Sequence, residues 1–419
     1  MTDITDLKVD PDAAGLDARR LERIEDHLRQ RYLDPQKIPG CQVAVARNGQ
    51  LGYFKSLGSM DLERGRPLRD DTIFRIYSMS KPVTGVALMS LYESGHFQLG
   101  DPVSRFIPEW ENLKVREGDA LVDPQRPMTV KDLLMHMSGL GYGRPPGQAG
   151  AAAEAAAAST TPPALRALAW MTTEQGMTLE KLTGRLAERS LRFHPGTRWL
   201  YSLSTDICGR LVEIISGKPL DEYMQSEIFG PLGMRDTGFV VPEDKAERFA
   251  ANYRRRSDKT LKLADDPFES VYLKPRTFLS GGGGLVSTTA DYLRFTQMLL
   301  NGGELDGVRV LGRKTVELMS LNHLPGGGEL RSFALPNSYG ETGFDGVGFG
   351  LTMAVGLGQR EQQAIGSAGE YYWGGAASTI FWIDPVEDLI VVFMTQLFPS
   401  GTFNFRGQLK SIVYPALSD

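Results

Sequence analysis

The chain holds almost no cysteine: Cys41 and Cys208 are the only two in 419 residues. That excludes a disulfide framework and, with no C-x-x-C pair, a cysteine-rich zinc site. Histidine is also scarce. The five present, His27, His96, His136, His194 and His323, are scattered and form no H-E-x-x-H pair, so a zinc site has little support. No G-x-S-x-G occurs, which argues against the nucleophile elbow of an α/β-hydrolase. Gly281-Gly282-Gly283-Gly284 lacks both the lysine of a phosphate loop and the spacing of a dinucleotide fingerprint; close backbone packing ahead of a helix is its better use. There is no positive excess either. A net charge of −5 without a long basic run gives no reason to expect nucleic acid or an anionic membrane as partner, and Arg254-Arg255-Arg256 reads as a solvated surface cluster. The apolar run 389–394 is far too short to span a bilayer. Residues 1–6 lack a basic stretch followed by an apolar core, so no secretory signal is read and a cytoplasmic location is expected.

What is present is an ordinary globular composition, 41% apolar and 23% charged, long enough for a large core and two structural units. One tetrapeptide stands out. Ser78-Met79-Ser80-Lys81 opens an apolar helical stretch over 82–92 that Gly95 stops. A serine and a lysine three residues apart share one helical face. A serine hydroxyl is a weak nucleophile, and a neighbouring amine kept partly neutral can take its proton, so the pair needs no histidine. Pro82 suits a helix start, and the positive end of the helix dipole points at Ser78. The competing reading is an exposed lysine beside an N-cap serine.

Helical spacing of Leu21, Ile24 and Leu28 predicts an amphipathic helix over 16–32. Strand-like runs at 41–46 and 52–57 flank Asn48-Gly49, a tight hairpin turn. A second hairpin is expected from 377–383 and 389–395, and a last helix over 405–414. Strands at both ends with helices between suggest one sheet assembled from the two termini. In the middle, Thr129 and Thr288 look like capping residues for helices at 133–137 and 292–300, and Ser204 for one at 205–215 ended by Gly217. Segment 144–163, alanine-rich between two Pro-Pro pairs, reads as a surface insertion.

Two further segments join Ser78-x-x-Lys81: Tyr201-Ser202-Leu203, and Trp373-Gly374-Gly375 ahead of the second hairpin. Their order and separation resemble the serine β-lactamase and penicillin-binding protein superfamily, and within it the class C β-lactamase-like esterases, the family VIII carboxylesterases. Supporting segments at 128–134, 138–140, 231–239 and 281–292 extend the resemblance over most of the chain. It implies an α/β (α+β) fold of β-lactamase/transpeptidase type: a mainly antiparallel sheet flanked by helices, built from 1–100 and 270–419, with a mainly helical domain inserted at 101–269 and the site between them. It also implies that Ser78 is acylated, that Lys81 and Tyr201 share proton transfer, and that the backbone N–H groups of Ser78 and Ala376 form the oxyanion hole. Lys81, its pKa lowered, and Tyr201, held as a phenolate, both remain open as the base.

The sequence departs from the β-lactamase pattern twice. Leu203 stands where an asparagine is usual, and Trp373-Gly374-Gly375 replaces Lys-Thr-Gly; Lys314-Thr315-Val316 sits in a helical context and does not supply the missing motif. That lysine helps bind a substrate carboxylate, whereas a neutral indole offers an apolar wall. The resemblance therefore implies a serine carboxylesterase acting on small-molecule esters, without metal or organic cofactor. β-Lactamase, D-amino-acid peptidase or amidase, acyltransferase and a non-catalytic scaffold are the alternatives.

Overall fold

A computed structural model of the protein describes residues 8–142, 176–336 and 338–418; the insertion expected at 144–163 lies outside them. Eight strands form its main sheet: β1 (Gly40–Arg47), β2 (Gln50–Asp61), β3 (Arg66–Pro67), β4 (Val347–Phe349), β5 (Ala354–Gly356), β6 (Tyr371–Gly374), β7 (Ile380–Asp384) and β8 (Leu389–Thr395). Their order is β4-β5-β6-β7-β8-β1-β2-β3, antiparallel throughout, so the two ends of the chain meet where β8 pairs with β1. The β1–β2 turn places Asn48 and Gly49 at φ 53° and 67°, the left-handed region these residues tolerate.

Side chains alternate across the sheet, and both faces are covered. On one face the Phe393 ring lies 4.7 Å from Phe405 of helix Phe405–Val413. On the other, Phe381 lies 5.2 Å from Tyr292 of helix Thr289–Leu300. Burial on both sides explains why β1 and β8 are buried at every position and apolar almost throughout. Helix α1 (Ala18–Leu28) buries Leu21, Ile24 and Leu28 and packs on the C-terminal helix.

Helix α2 (Ser80–Glu93) follows a 3-10 turn, Tyr77–Met79, and packs against α3 (Ser204–Ser216). Nearly all of α2 is buried, so its apolar residues are spread round the helix rather than confined to one stripe. Gly85 lets Thr352 approach this helix: a Cβ there would lie 2.3 Å from Thr352 Oγ1. No helix among the described residues is long and apolar enough to cross a membrane.

Local expectations need four corrections. The segment after Thr129 is helical over Val130–Leu134, not 133–137, because His136 turns to φ 56°. Ser204 caps nothing: it lies inside its helix, and its hydroxyl meets Ser138 and Ser202, each at 2.8 Å. Residues 377–379 are not strand, since Gly375 N–H bonds back to the Thr379 carbonyl at 2.7 Å and Ser378 adopts φ 66°. Finally, Arg254 and Arg255 are half-buried, their guanidinium groups 5.6 Å and 5.2 Å from the ring centres of Phe398 and Phe403, rather than freely solvated.

Candidate active site

Ser78 sits in the turn that feeds α2. The preceding residue, Tyr77, is held at φ 42°, a sparsely populated conformation for a bulky side chain. Packing offsets that strain: the Tyr77 ring lies 5.2 Å from Phe398, and its hydroxyl accepts from Asn252 Nδ2 at 3.1 Å. Ser78 keeps 6% of its surface exposed while Lys81 keeps none. The competing reading of Lys81 as an exposed side chain is thereby removed.

Lys81 Nζ donates to Ser78 Oγ at 3.3 Å and to the Gly282 carbonyl at 2.6 Å, and lies 4.5 Å from the centre of the Tyr201 ring. Burial pushes its pKa down to about 8, against the opposing pull of the Asp206 and Glu341 carboxylates. Burial acts oppositely on Tyr201, raising its pKa well above the ordinary phenol value, with Ser78 and Trp373 as its hydrogen-bonding neighbours. The pair is thus an amine that readily becomes neutral and a phenol that resists ionisation.

The glycine run has a defined role in placing Lys81. Gly281 approaches so closely that an added Cβ would lie 2.9 Å from the Thr205 carbonyl, and one on Gly282 would lie 2.7 Å from Asp206 Oδ2. Asp206, buried on α3, accepts from Ser280 Oγ at 2.5 Å and Gly282 N–H at 3.1 Å; Thr84 Oγ1 donates to the Gly281 carbonyl at 2.7 Å. These bonds aim the Gly282 carbonyl at Lys81.

Trp373 lies on β6 and is fully buried, so its indole is not an open wall of the site. Its Nε1–H donates instead to the Tyr201 hydroxyl at 3.3 Å. An arginine, Arg406, donates to the Trp373 carbonyl at 2.7 Å. Lys314 is exposed on helix Arg313–Ser320, where it pairs with Glu317. Gly375 passes so close to the Ser78 turn that a Cβ there would lie 2.3 Å from the Ile76 carbonyl oxygen. Ala376 follows directly. Its carbonyl accepts from Ser400 N–H at 2.8 Å, and among the described residues neither its own N–H nor that of Ser78 donates a hydrogen bond.

Three contributors escaped the sequence reading: Asp206, His136 and Glu341. His136 is fully buried with its ring 4.9 Å from Tyr201, and burial followed by the nearby Lys81 charge keeps its pKa well below the usual value. It is a neutral packing partner whose Nδ1 meets Ser202 Oγ at 3.2 Å. Asp206 follows Tyr201 by five positions on a helix that also packs on α2, which offered a faint signal. Glu341 had none.

Comparison with known proteins agrees with this fold. The Beta-lactamase family model matches residues 21–410. An uncharacterized protein of Mycobacterium tuberculosis is 34% identical over 374 residues, 87% of this chain and 88% of its own. Esterase EstB of Burkholderia gladioli is 30% identical over 411 residues, covering 94% of each chain. The solved structure described as "EstCE1, a hydrolase with promiscuous acyltransferase activity" superposes with a TM-score of 0.77 at 25% identity, over 94% of this chain and 99% of its own. The chain belongs to the beta-lactamase family and, within it, is a family VIII esterase-like serine hydrolase.

Proposed function

We propose that the protein is a serine carboxylesterase hydrolysing small, uncharged or weakly charged carboxylic esters. Ser78 Oγ bonds to the ester carbonyl carbon as its proton passes to neutral Lys81 Nζ, and the carbonyl oxygen takes up negative charge between the N–H groups of Ser78 and Ala376. On collapse the carbon–alkoxy bond breaks, and the departing oxygen receives the proton through the Lys81 and Tyr201 pair. Water then adds to the acyl carbon, giving a proton to the same pair. Ser78 leaves reprotonated and a carboxylic acid is released.

The observation that carries this reading is the buried Lys81 amine, its pKa near 8, at 3.3 Å from the Ser78 hydroxyl. Such an amine has an appreciable neutral fraction at neutral pH. The upward shift of Tyr201 favours it as a neutral donor rather than a phenolate base. Ser78→Ala is expected to abolish acylation by a chromogenic short-chain ester with an unchanged circular dichroism spectrum. Peptide mapping of the trapped wild-type adduct should find it on Ser78. Full activity in the variant, or an adduct elsewhere, would refute the scheme.

A second reading has support in the description of EstCE1: the acyl group passes to an alcohol instead of water. Product analysis with added alcohol separates the two outcomes. Trp373, standing where the β-lactamase pattern has lysine, supports ester turnover well above cephalosporin turnover, and comparable rates would restore the β-lactamase reading.

A further inference from the structure

Beside Ser78 stands an acidic group that the reaction scheme does not use. Glu341 is half-buried on the loop at 340–343, which lines a cavity of about 310 Å3 together with Gly374, Gly375 and Arg406. Burial raises its pKa above the ordinary carboxyl value, against the opposing effect of Ser400, Tyr339, Lys81 and Ser78 nearby. The loop is tied down where the Tyr339 hydroxyl meets Ser400 Oγ. One carboxyl oxygen, Oε2, is nonetheless buried without a hydrogen-bond partner among the described residues, and Glu341 forms no ion pair among them. Arg406, which also lines the cavity, donates to the Trp373 carbonyl at 2.7 Å and lies 4.5 Å from the centre of the Tyr372 ring, while its Nε has no hydrogen-bond partner among the described residues.

A buried acceptor left without a donor costs free energy, and a substrate group that supplies the donor recovers it. A carboxylate brought to the same place meets a like charge instead. We infer that Glu341 sets the specificity of the site, favouring esters with an ammonium or hydroxyl group close to the scissile bond and rejecting those with a carboxylate there. This rests on the esterase reading and adds the substrate class to it. The absence of a lysine at Trp373 and the presence of this carboxylate act in the same direction, since both remove affinity for an anion.

The test uses three acetate esters of similar size: 2-(dimethylamino)ethyl acetate, whose protonated amine carries an N–H donor, neutral 3-methylbutyl acetate and anionic 3-acetoxypropanoate, followed by pH-stat titration at neutral pH beside phenyl acetate. Wild-type kcat/KM for the cationic ester should exceed that for the anionic one by about tenfold or more. Glu341→Gln should bring the two within about threefold, whereas Glu341→Asp keeps their order. Equal wild-type rates, or an unchanged ratio in Glu341→Gln, would overturn the inference. So would turnover of phenyl acetate but of none of the three. Should Glu341→Gln be inactive, Glu341→Ala is read in the same way; two inactive variants would place Glu341 in the chemistry rather than in selection and overturn it as well. Failure of the wild type on phenyl acetate itself is the separate result that removes the esterase reading.

Discussion

Asp206 and Lys81 are joined through one residue: Gly282 donates its N–H to Asp206 Oδ1 at 3.1 Å and accepts from Lys81 Nζ at 2.6 Å through its carbonyl. The carboxylate therefore acts on the amine both through its field and by fixing the acceptor that orients it. Burial lowers the Lys81 pKa and raises that of Asp206, so both groups are biased toward their neutral forms.

The first consequence is a pH profile. Below about 8 the Lys81 amine is mostly ammonium and cannot accept the Ser78 proton, so kcat/KM for a neutral ester should rise through about 8 and level off above it. Stability should follow the same sense. With a folded pKa near 8 and an ordinary value of 10.5, the unfolded chain binds the extra proton between those limits, so this group makes the fold more stable as pH rises through that window. Initial rates across pH, with urea unfolding at matched pH, check both. A rate limb confined to pH 5–6 would contradict the assignment of Lys81 as base.

The second concerns Asp206→Asn. The carboxylate favours the charged amine, so removing its charge should lower the Lys81 pKa further and move the rising limb toward acid by about half a unit or more. Asp206→Ala should also cost about 1–3 kcal/mol in urea unfolding, because the Ser280 hydroxyl and Gly282 N–H lose their buried acceptor. A limb displaced toward alkali would mean that Asp206 acts otherwise.

Why the sequence carried some of this and not the rest follows from where each interaction closes. Leu21, Ile24 and Leu28, the Asn48-Gly49 turn, and the Thr129 and Thr288 caps depend on neighbours within a few residues, and each forms as its spacing implies. Ser204 misled because Ser138, 66 residues away, offered its hydroxyl a tertiary partner that a local rule cannot foresee. Ser78 and Lys81 were legible for the opposite reason, being one helical turn apart. The Gly282 carbonyl that orients Lys81 comes from 201 residues downstream. The Glu341 side chain is brought to Ser78 by a loop with neither periodicity nor motif.

Trp373→Phe tests the indole as a positioning group for Tyr201. Phenylalanine keeps the ring in β6 but removes the donor found 3.3 Å from the Tyr201 hydroxyl. Loss of one net hydrogen bond of about 0.5–1.5 kcal/mol in the transition state lowers kcat by roughly two- to thirteenfold. The smaller ring also leaves a void costing about 1–3 kcal/mol in unfolding. A purely structural role would produce the second effect alone. In a Tyr201→Phe background the kinetic effect of Trp373→Phe should disappear, since the acceptor is gone.

The main-chain donors need a different probe, because no side-chain change at Ala376 removes its N–H. Gly375→Ala supplies one. The added methyl would lie 2.3 Å from the Ile76 carbonyl oxygen and the same distance from Thr379 Oγ1, and a backbone oxygen on the Ser78 turn has little room to yield. The strand must therefore move away from the turn, carrying the Ala376 N–H out of line with that of Ser78. Loss of one oxyanion donor typically lowers turnover by about 10²–10³. The expected result is a fall of that size in kcat, with Ser78 still labelled slowly by a phosphonate, since nucleophile and amine remain together on α2 and the turn before it. Wild-type turnover in Gly375→Ala would show that the carbonyl oxygen is stabilised elsewhere.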